Sequence, residues 1–161
     1  MSSKMKGWLW GIVVAAILIL PIVLSKKPEV GYKTVETYDA FMEVIKTDKV
    51  VMTVFGRNSC SWCEKFKPVY SKLASEHNLD IYYLDSDSFD SNEFGRILME
   101  SELIIPEDCR DVAKNPDGLL SGVFGTPLTL FVKNGEAIDC ISGYLNEDNL
   151  LAKLKTVGMV K

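Results

Sequence analysis

The chain has 161 residues, a formal net charge of -4, 47% hydrophobic and 25% charged residues. That balance excludes a disordered tail and a wholly membrane-embedded protein, and no basic cluster points to a nucleic-acid partner. Four cysteines are too few for a disulfide scaffold at this length, and with one histidine a zinc site would need mostly sulfur or carboxylate ligands.

The N-terminal stretch from Trp8 to Leu24 carries no charge. As a helix it would span roughly 25 Å, slightly short of a ~30 Å hydrocarbon core, and Gly7 and Ser25 can extend it. Trp8 and Trp10 suit a headgroup boundary. The rival reading is a cleaved signal peptide followed by secretion, but Val23-Leu24-Ser25 lacks the A-x-A pattern. The expectation is a single-pass anchor over residues 1–25, a linker over 26–33 and a folded domain over 34–161. Lys4 and Lys6 on one side and Lys26 and Lys27 on the other leave orientation undecided by charge. The folded domain is placed outside the cytoplasm, because a tethered dithiol has little use where soluble systems already keep thiols reduced.

Within the folded domain, Tyr38, Phe41, Met42 and Ile45 predict an amphipathic helix, with Thr37 as N-cap and Asp39 in its first turn. Val50 to Phe55 reads as a buried strand. Gly56 to Ser59 breaks it. A helix then runs from Cys60 to about His77, with Phe66, Val69, Tyr70 and Leu73 on one face and Pro68 inside it. Ile81 to Leu84 is a second strand. Phe94, Ile97 and Leu98 predict a helix begun by Asp90 or Ser91. Residues 103–123 are full of breakers, with a short helix possible around Glu107 to Lys114 behind Pro106. Leu128 to Val132 and Ala137 to Ile141 flank Asn134-Gly135, a two-residue hairpin signal. Asn146 caps a last helix bearing Leu150, Leu151, Leu154 and Val157 on one face. Strand–helix–strand followed by hairpin–helix predicts an α/β sandwich with a mixed sheet flanked by helices.

The chemistry concentrates at Cys60-Ser61-Trp62-Cys63, where a strand hands over to a helix. One helical turn puts both cysteines on one face, close enough to bond. Unpaired N–H groups and the positive end of the dipole favour a thiolate on Cys60. A Cys-x-x-Cys so placed is a redox motif.

These residues together resemble the thioredoxin family, over most of Thr34 to Val157. Cys60-Ser61-Trp62-Cys63 matches the active-site motif and Pro68 the proline of the active-site helix. Gly125-Thr126-Pro127 followed by LTLFVKNGE matches the cis-proline segment and final hairpin, and Gly143 the glycine after the last strand. With the apolar N-terminus, the chain is similar to membrane-tethered thioredoxin-like proteins of bacteria, among them bacteriocin transport accessory proteins. The resemblance implies a thiol–disulfide oxidoreductase without cofactor or metal. It also implies cysteine-containing protein substrates and a redox-recycling partner. Three departures stand out. Val54 occupies the position of a buried Asp that usually serves the second cysteine. Ser61-Trp62 replaces Gly-Pro. The segment before the cis-proline is an enlarged insertion, about residues 90–123, with its own cysteine, Cys109.

Cys60 is therefore the expected nucleophile and Cys63 the more buried resolving partner. Thr126-Pro127 is expected to be cis, with Thr126 free to pair with an extended substrate strand. Trp62 has two readings, an exposed substrate contact or a cover for its neighbouring loop. His77 reads as a polar helix end, and Glu64 as a solvated surface group. Structural zinc lacks paired ligand spacing. Cys140, in phase with Ile138, is expected on a covered side of the last strand. It either pairs with Cys109, as an oxidising compartment favours, or both remain separate thiols. Without histidine or proline between the motif cysteines, an intermediate to reducing potential is expected within the family's range of roughly -270 to -120 mV. A second functional reading also stays open. It is a non-catalytic module holding a partner of an export or transfer apparatus.

Overall fold

Strand β2, Val51–Gly56, is buried along its whole length and organises the domain. Its β-branched and aromatic residues suit a strand covered on both faces. The computed structural model describes residues 31–109 and 124–161. The expected anchor over residues 1–25 and most of the predicted helix Glu107 to Lys114 lie outside the described residues. Among the described residues, no helix is long and apolar enough to cross a membrane.

The described elements are β1 (Lys33–Thr34), α1 (Tyr38–Ile45), β2, α2 (Ser61–His77), β3 (Ile81–Asp85), α3 (Ser91–Glu100), β4 (Leu128–Lys133), β5 (Glu136–Ser142) and α4 (Glu147–Thr156). The five strands form one sheet in the order β1-β3-β2-β4-β5. β3 runs parallel to β1 and β2, while β4 runs antiparallel to β2 and β5. Alternation along each strand sorts side chains into two cores. Val51 and Phe55 join Phe41, Ile45, Leu84, Ile97, Leu128 and Leu130 on one face. Met52 and Val54 join Phe66, Tyr70, Leu73, Ile81, Leu150 and Leu154 on the other.

Local signals set most boundaries. The Thr37 hydroxyl accepts from Ala40 N at 3.2 Å, the Asp90 carboxylate from Asn92 N at 2.9 Å, and the Asn146 side chain from Asn149 N at 3.0 Å. Each such cap contributes about 1 kcal/mol by satisfying an orphan N–H. α2 ends at Asn78, which takes the left-handed conformation at φ 52 and lets Leu79 N donate to Ala74 O. Asn134 and Gly135 turn β4 into β5 with φ values of 52 and 78.

Two findings depart from the sequence reading. Lys33, read as linker, pairs with Tyr82 in the sheet, and the preceding Tyr32 ring packs edge-on against Tyr70 and Tyr83. A two-residue exposed strand has no periodicity to detect. On β5, Phe131 faces Asp139 but Val132 faces Ala137, so Ile138 is an extra residue. This bulge shifts the phase. Cys140 does lie against the first core, but it shares that core with Ala137, while Ile138 is 42% exposed.

Within the enlarged segment, Leu103 and Ile105 are buried and Ala137 N donates to Ile104 O, so this stretch covers part of the β5 edge. Pro106 starts a short helical turn whose Cys109 is bonded to Cys140, with Cα atoms 5.9 Å apart and a sequence separation of 31. Closing a loop of that size should contribute about 3–4 kcal/mol in the chain-entropy picture. Replacing Cys109 and Cys140 by alanine together should lower the urea-unfolding free energy by that amount. A loss below about 1 kcal/mol would mean that Leu103 and Ile105 alone hold the segment.

Candidate active site

The site is assembled where β2 ends and α2 begins. β2 stops at Gly56, and residues 57–59 form an exposed turn. The turn is tied down on both sides. Ser59 donates through its N–H and hydroxyl to the Asp87 carboxylate, and Cys60 N donates to Arg57 O at 3.3 Å. Cys60 then takes extended backbone angles, φ -97 and ψ 107, and is the N-cap of α2. Its sulfur accepts from Cys63 N at 3.1 Å. A sulfur thus does the work usually done by the oxygen of a serine or aspartate cap.

Cys60 and Cys63 are joined as a disulfide with Cα atoms 5.2 Å apart. Cys60 is 9% exposed and Cys63 1%. Of the two sulfurs, Cys60 is the one a substrate can approach. In the reduced protein its thiolate would sit on the Cys63 N–H and at the positive end of α2, both of which favour charge on sulfur.

A second segment closes the site from the β4 side. The Thr126–Pro127 peptide bond is cis. It brings the Thr126 carbonyl oxygen to 3.4 Å from Cys60 Sγ. Pro127 O accepts from Gly143 N at 2.8 Å, which ties this segment to the loop after β5. Gly143 adopts φ 86, in the left-handed region. The Thr126 hydroxyl is buried without a hydrogen-bond partner among the described residues.

Trp62 is 53% exposed, and its ring lies 5.9 Å from that of Tyr144, which is 38% exposed. Tyr144 in turn packs edge-on against buried Phe66. Lys65 Nζ sits 4.5 Å from the Trp62 ring centroid. Trp62 therefore packs on a neighbouring loop and remains open to solvent. Tyr144 escaped the sequence reading, although an aromatic directly after Gly143 was the available signal.

His77 lies exposed at the far end of α2, sixteen residues past Ser61. Glu64 is exposed and pairs with Lys67 at 2.7 Å. Among the described residues the one cluster with metal-ligating side chains is Cys109, Asp139 and Cys140. Its two sulfurs are bonded to each other, and both Asp139 oxygens accept from Lys153 Nζ at 2.8 Å. That donor set is already satisfied.

A dithiol held at a helix N-terminus beside a cis-proline loop defines a class, the thioredoxin-like folds with a Cys-x-x-Cys pair. The comparisons agree. The family described as "Thioredoxin-like domain" matches residues 37–158, and the chain belongs to it. The chain is 24% identical to thioredoxin of Malassezia sympodialis over 111 residues, covering 69% of this chain and 85% of that one. It is 26% identical over 98 residues to NADPH-dependent thioredoxin reductase 3 of Arabidopsis thaliana. That match covers 61% of this chain but spans only 14% of the length of the reductase. The solved structure of the Malassezia protein superposes with a TM-score of 0.54 at 22% identity, covering 81% of this chain and 93% of that one. Thioredoxin from Trypanosoma brucei brucei gives a TM-score of 0.56 at 16% identity, covering 82% and 95%.

The sulfur cap is testable by itself. In reducing buffer, Cys60→Ala should be about 1 kcal/mol less stable than Cys60→Ser, because serine keeps an acceptor for Cys63 N and alanine does not. Thermal unfolding of the two variants measures it. Equal midpoints would show that the cap contributes nothing.

Proposed function

We propose that the protein is a thiol–disulfide oxidoreductase acting on cysteine-containing protein substrates. The observation that carries this is the Cys60–Cys63 pair, with Cys60 the more accessible sulfur, capping α2 beside the Thr126 carbonyl. Cys60 is the nucleophile. Its thiolate attacks a substrate disulfide, forms a mixed disulfide and expels one substrate thiolate. Cys63 then attacks Cys60 Sγ, which closes the protein disulfide and releases the second substrate thiolate. Two electrons pass from the dithiol to the substrate, and the reverse sequence oxidises a substrate dithiol. A recycling partner resets the pair.

The substrate is held by Trp62, Thr126 and Pro127. Trp62 and Tyr144 form an aromatic shelf for an apolar side chain, which aromatic rings anchor well at interfaces. Half-buried Thr126, next to exposed Gly125, lets an extended segment lie across Cys60. The apolar stretch Trp8–Leu24 anchors the protein in a membrane, in a bacterial setting, with the domain on the extracytoplasmic side. The disulfide-bonded Cys109 and Cys140 favour that compartment. Cleavage of the proposed domain by protease added to intact spheroplasts is the expected result. Protection until lysis would reverse the orientation.

The decisive measurements are kinetic. The reduced chain should exchange disulfides with glutathione and reduce insulin. Cys60→Ser should lower the rate to background, and Cys63→Ser should accumulate mixed disulfides visible by mass spectrometry. Activity surviving Cys60→Ser would sink the assignment. A Cys60/Cys63 double variant with full cellular function would instead support the binding-module reading, which Val54 and the enlarged segment before β4 favour.

A further inference from the structure

The chain enters the domain at a fixed point. A Cβ on Gly31 would lie 2.2 Å from Ser71 O and 2.7 Å from Ser75 Oγ, so the backbone there is pressed onto the second half of α2. Tyr32 follows, edge-on to Tyr70 and Tyr83, and Lys33 then joins the sheet beside Tyr82. This is the end of the sheet where β1 and β3 begin and β4 finishes. Cys60 stands at the other end, because α2 runs 17 residues from Ser61 to His77, roughly 25 Å.

Lysines gather at the entry end. Lys49 and Lys133 line one cleft with Asn78 and Met159. A second cleft, bearing Gly31 and Lys33, shares Asn78, Leu79 and Asp80 with it. Lys46 lies close by, since Thr47 O accepts from Asn134 N at 2.8 Å and Asn134 follows Lys133. Lys33 is matched by Asp80 at 2.8 Å. Lys46, Lys49 and Lys133 are exposed and make no ion pair among the described residues. Asp48 lies between two of them in sequence and offsets part of their charge. In a chain of net charge -4, an end that carries unpaired lysines departs from the average.

We propose that this lysine-bearing end docks on the anionic headgroups of the bilayer from which the chain emerges. The Cys60–Cys63 pair then faces away from the membrane, toward disulfides in segments that stand clear of it. The inference rests on the anchor reading above. Residues 25–30, fully extended, reach about 20 Å, so the entry end stays near the surface. A tether alone would let the domain tip and carry Cys60 down to the headgroups. Lysines facing the surface oppose tipping, because each favours the docked arrangement about fivefold within a screening length of about 10 Å. The length of α2 then holds the dithiol beyond that layer.

The test uses the full chain in vesicles of phosphatidylcholine alone, or of phosphatidylcholine and phosphatidylglycerol in equal parts. A short pulse of an amine-acylating reagent is read lysine by lysine by mass spectrometry. Lys65, beside Trp62 at the motif end, is the reference. Relative to it, Lys49 and Lys133 should be labelled about tenfold more slowly in the anionic vesicles, and concentrated salt should remove the difference. Labelling ratios that are equal in the two lipids overturn the docking. Reach is read with a disulfide peptide coupled to headgroups through a short or a long spacer. In anionic vesicles the long-spacer peptide should be reduced about tenfold faster, and Lys49→Glu combined with Lys133→Glu should bring the two rates together while insulin reduction stays unchanged. Equal rates in the unaltered chain also overturn the proposal. A chain that alkaline carbonate strips from the vesicles would remove the anchor reading, and the docking with it. Loss of the dithiol reading leaves the labelling result standing, so the failures are distinguishable.

Discussion

The reactive end depends on one interaction, the acceptance of the Cys63 N–H by the Cys60 sulfur at the start of α2. A helix start leaves N–H groups that need acceptors, and here the acceptor is also the proposed reactive atom. Structure and reactivity therefore share one geometry. The turn before it is pinned through Ser59 to Asp87, beyond the end of β3. The cap is thus fixed relative to two strands of the sheet as well as to its own helix. Such second contacts hold a reactive group in place with little reorganisation.

β2 is buried on both faces, so the sheet beneath the motif has no room for solvent. A carboxylate there would have to be paired or protonated. Val54 avoids that cost. Polar character on this face comes instead from neutral hydroxyls, at Tyr83 and Thr129, which cost less to bury than a charge. Gly56 belongs to the same arrangement. Any side chain there would collide with the Tyr83 phenol, so the glycine is required by a neighbour and not by its own backbone.

The free edge of the sheet solves a different problem. β5 is an edge strand, and exposed edges invite pairing with other chains. Ile104 bridges to Glu136, and the Cys109–Cys140 bond fastens the same stretch further along the strand. The bulge at Ile138 bends the pairing between these two attachments. The segment before β4 therefore reads as an edge cover with its own staple. This use of Cys109 and Cys140 is separate from the chemistry at Cys60.

Much of this was written locally. Caps at Thr37, Asp90 and Asn146, the Asn134-Gly135 turn and the alternation on β2 each act within a few residues, so the sequence alone determined element types, their order and a dithiol at a helix start. The family resemblance of Cys60 to Cys63, Thr126-Pro127 and Gly143 extended this to the fold. What remained was decided by contacts between distant residues. Lys33 became a strand only because Tyr82 offered it a partner. The bulge at Ile138 followed from the β4–β5 register, and no run of residues on β5 announces it. Cys109 and Cys140 could be counted, but their 5.9 Å separation depends on how the segment after α3 packs against the sheet. Tyr83, Gly56 and Lys67 meet across two strands and a helix. Local propensity acts along the chain, whereas packing and hydrogen-bond satisfaction act through space, and only the tertiary structure brings those partners together.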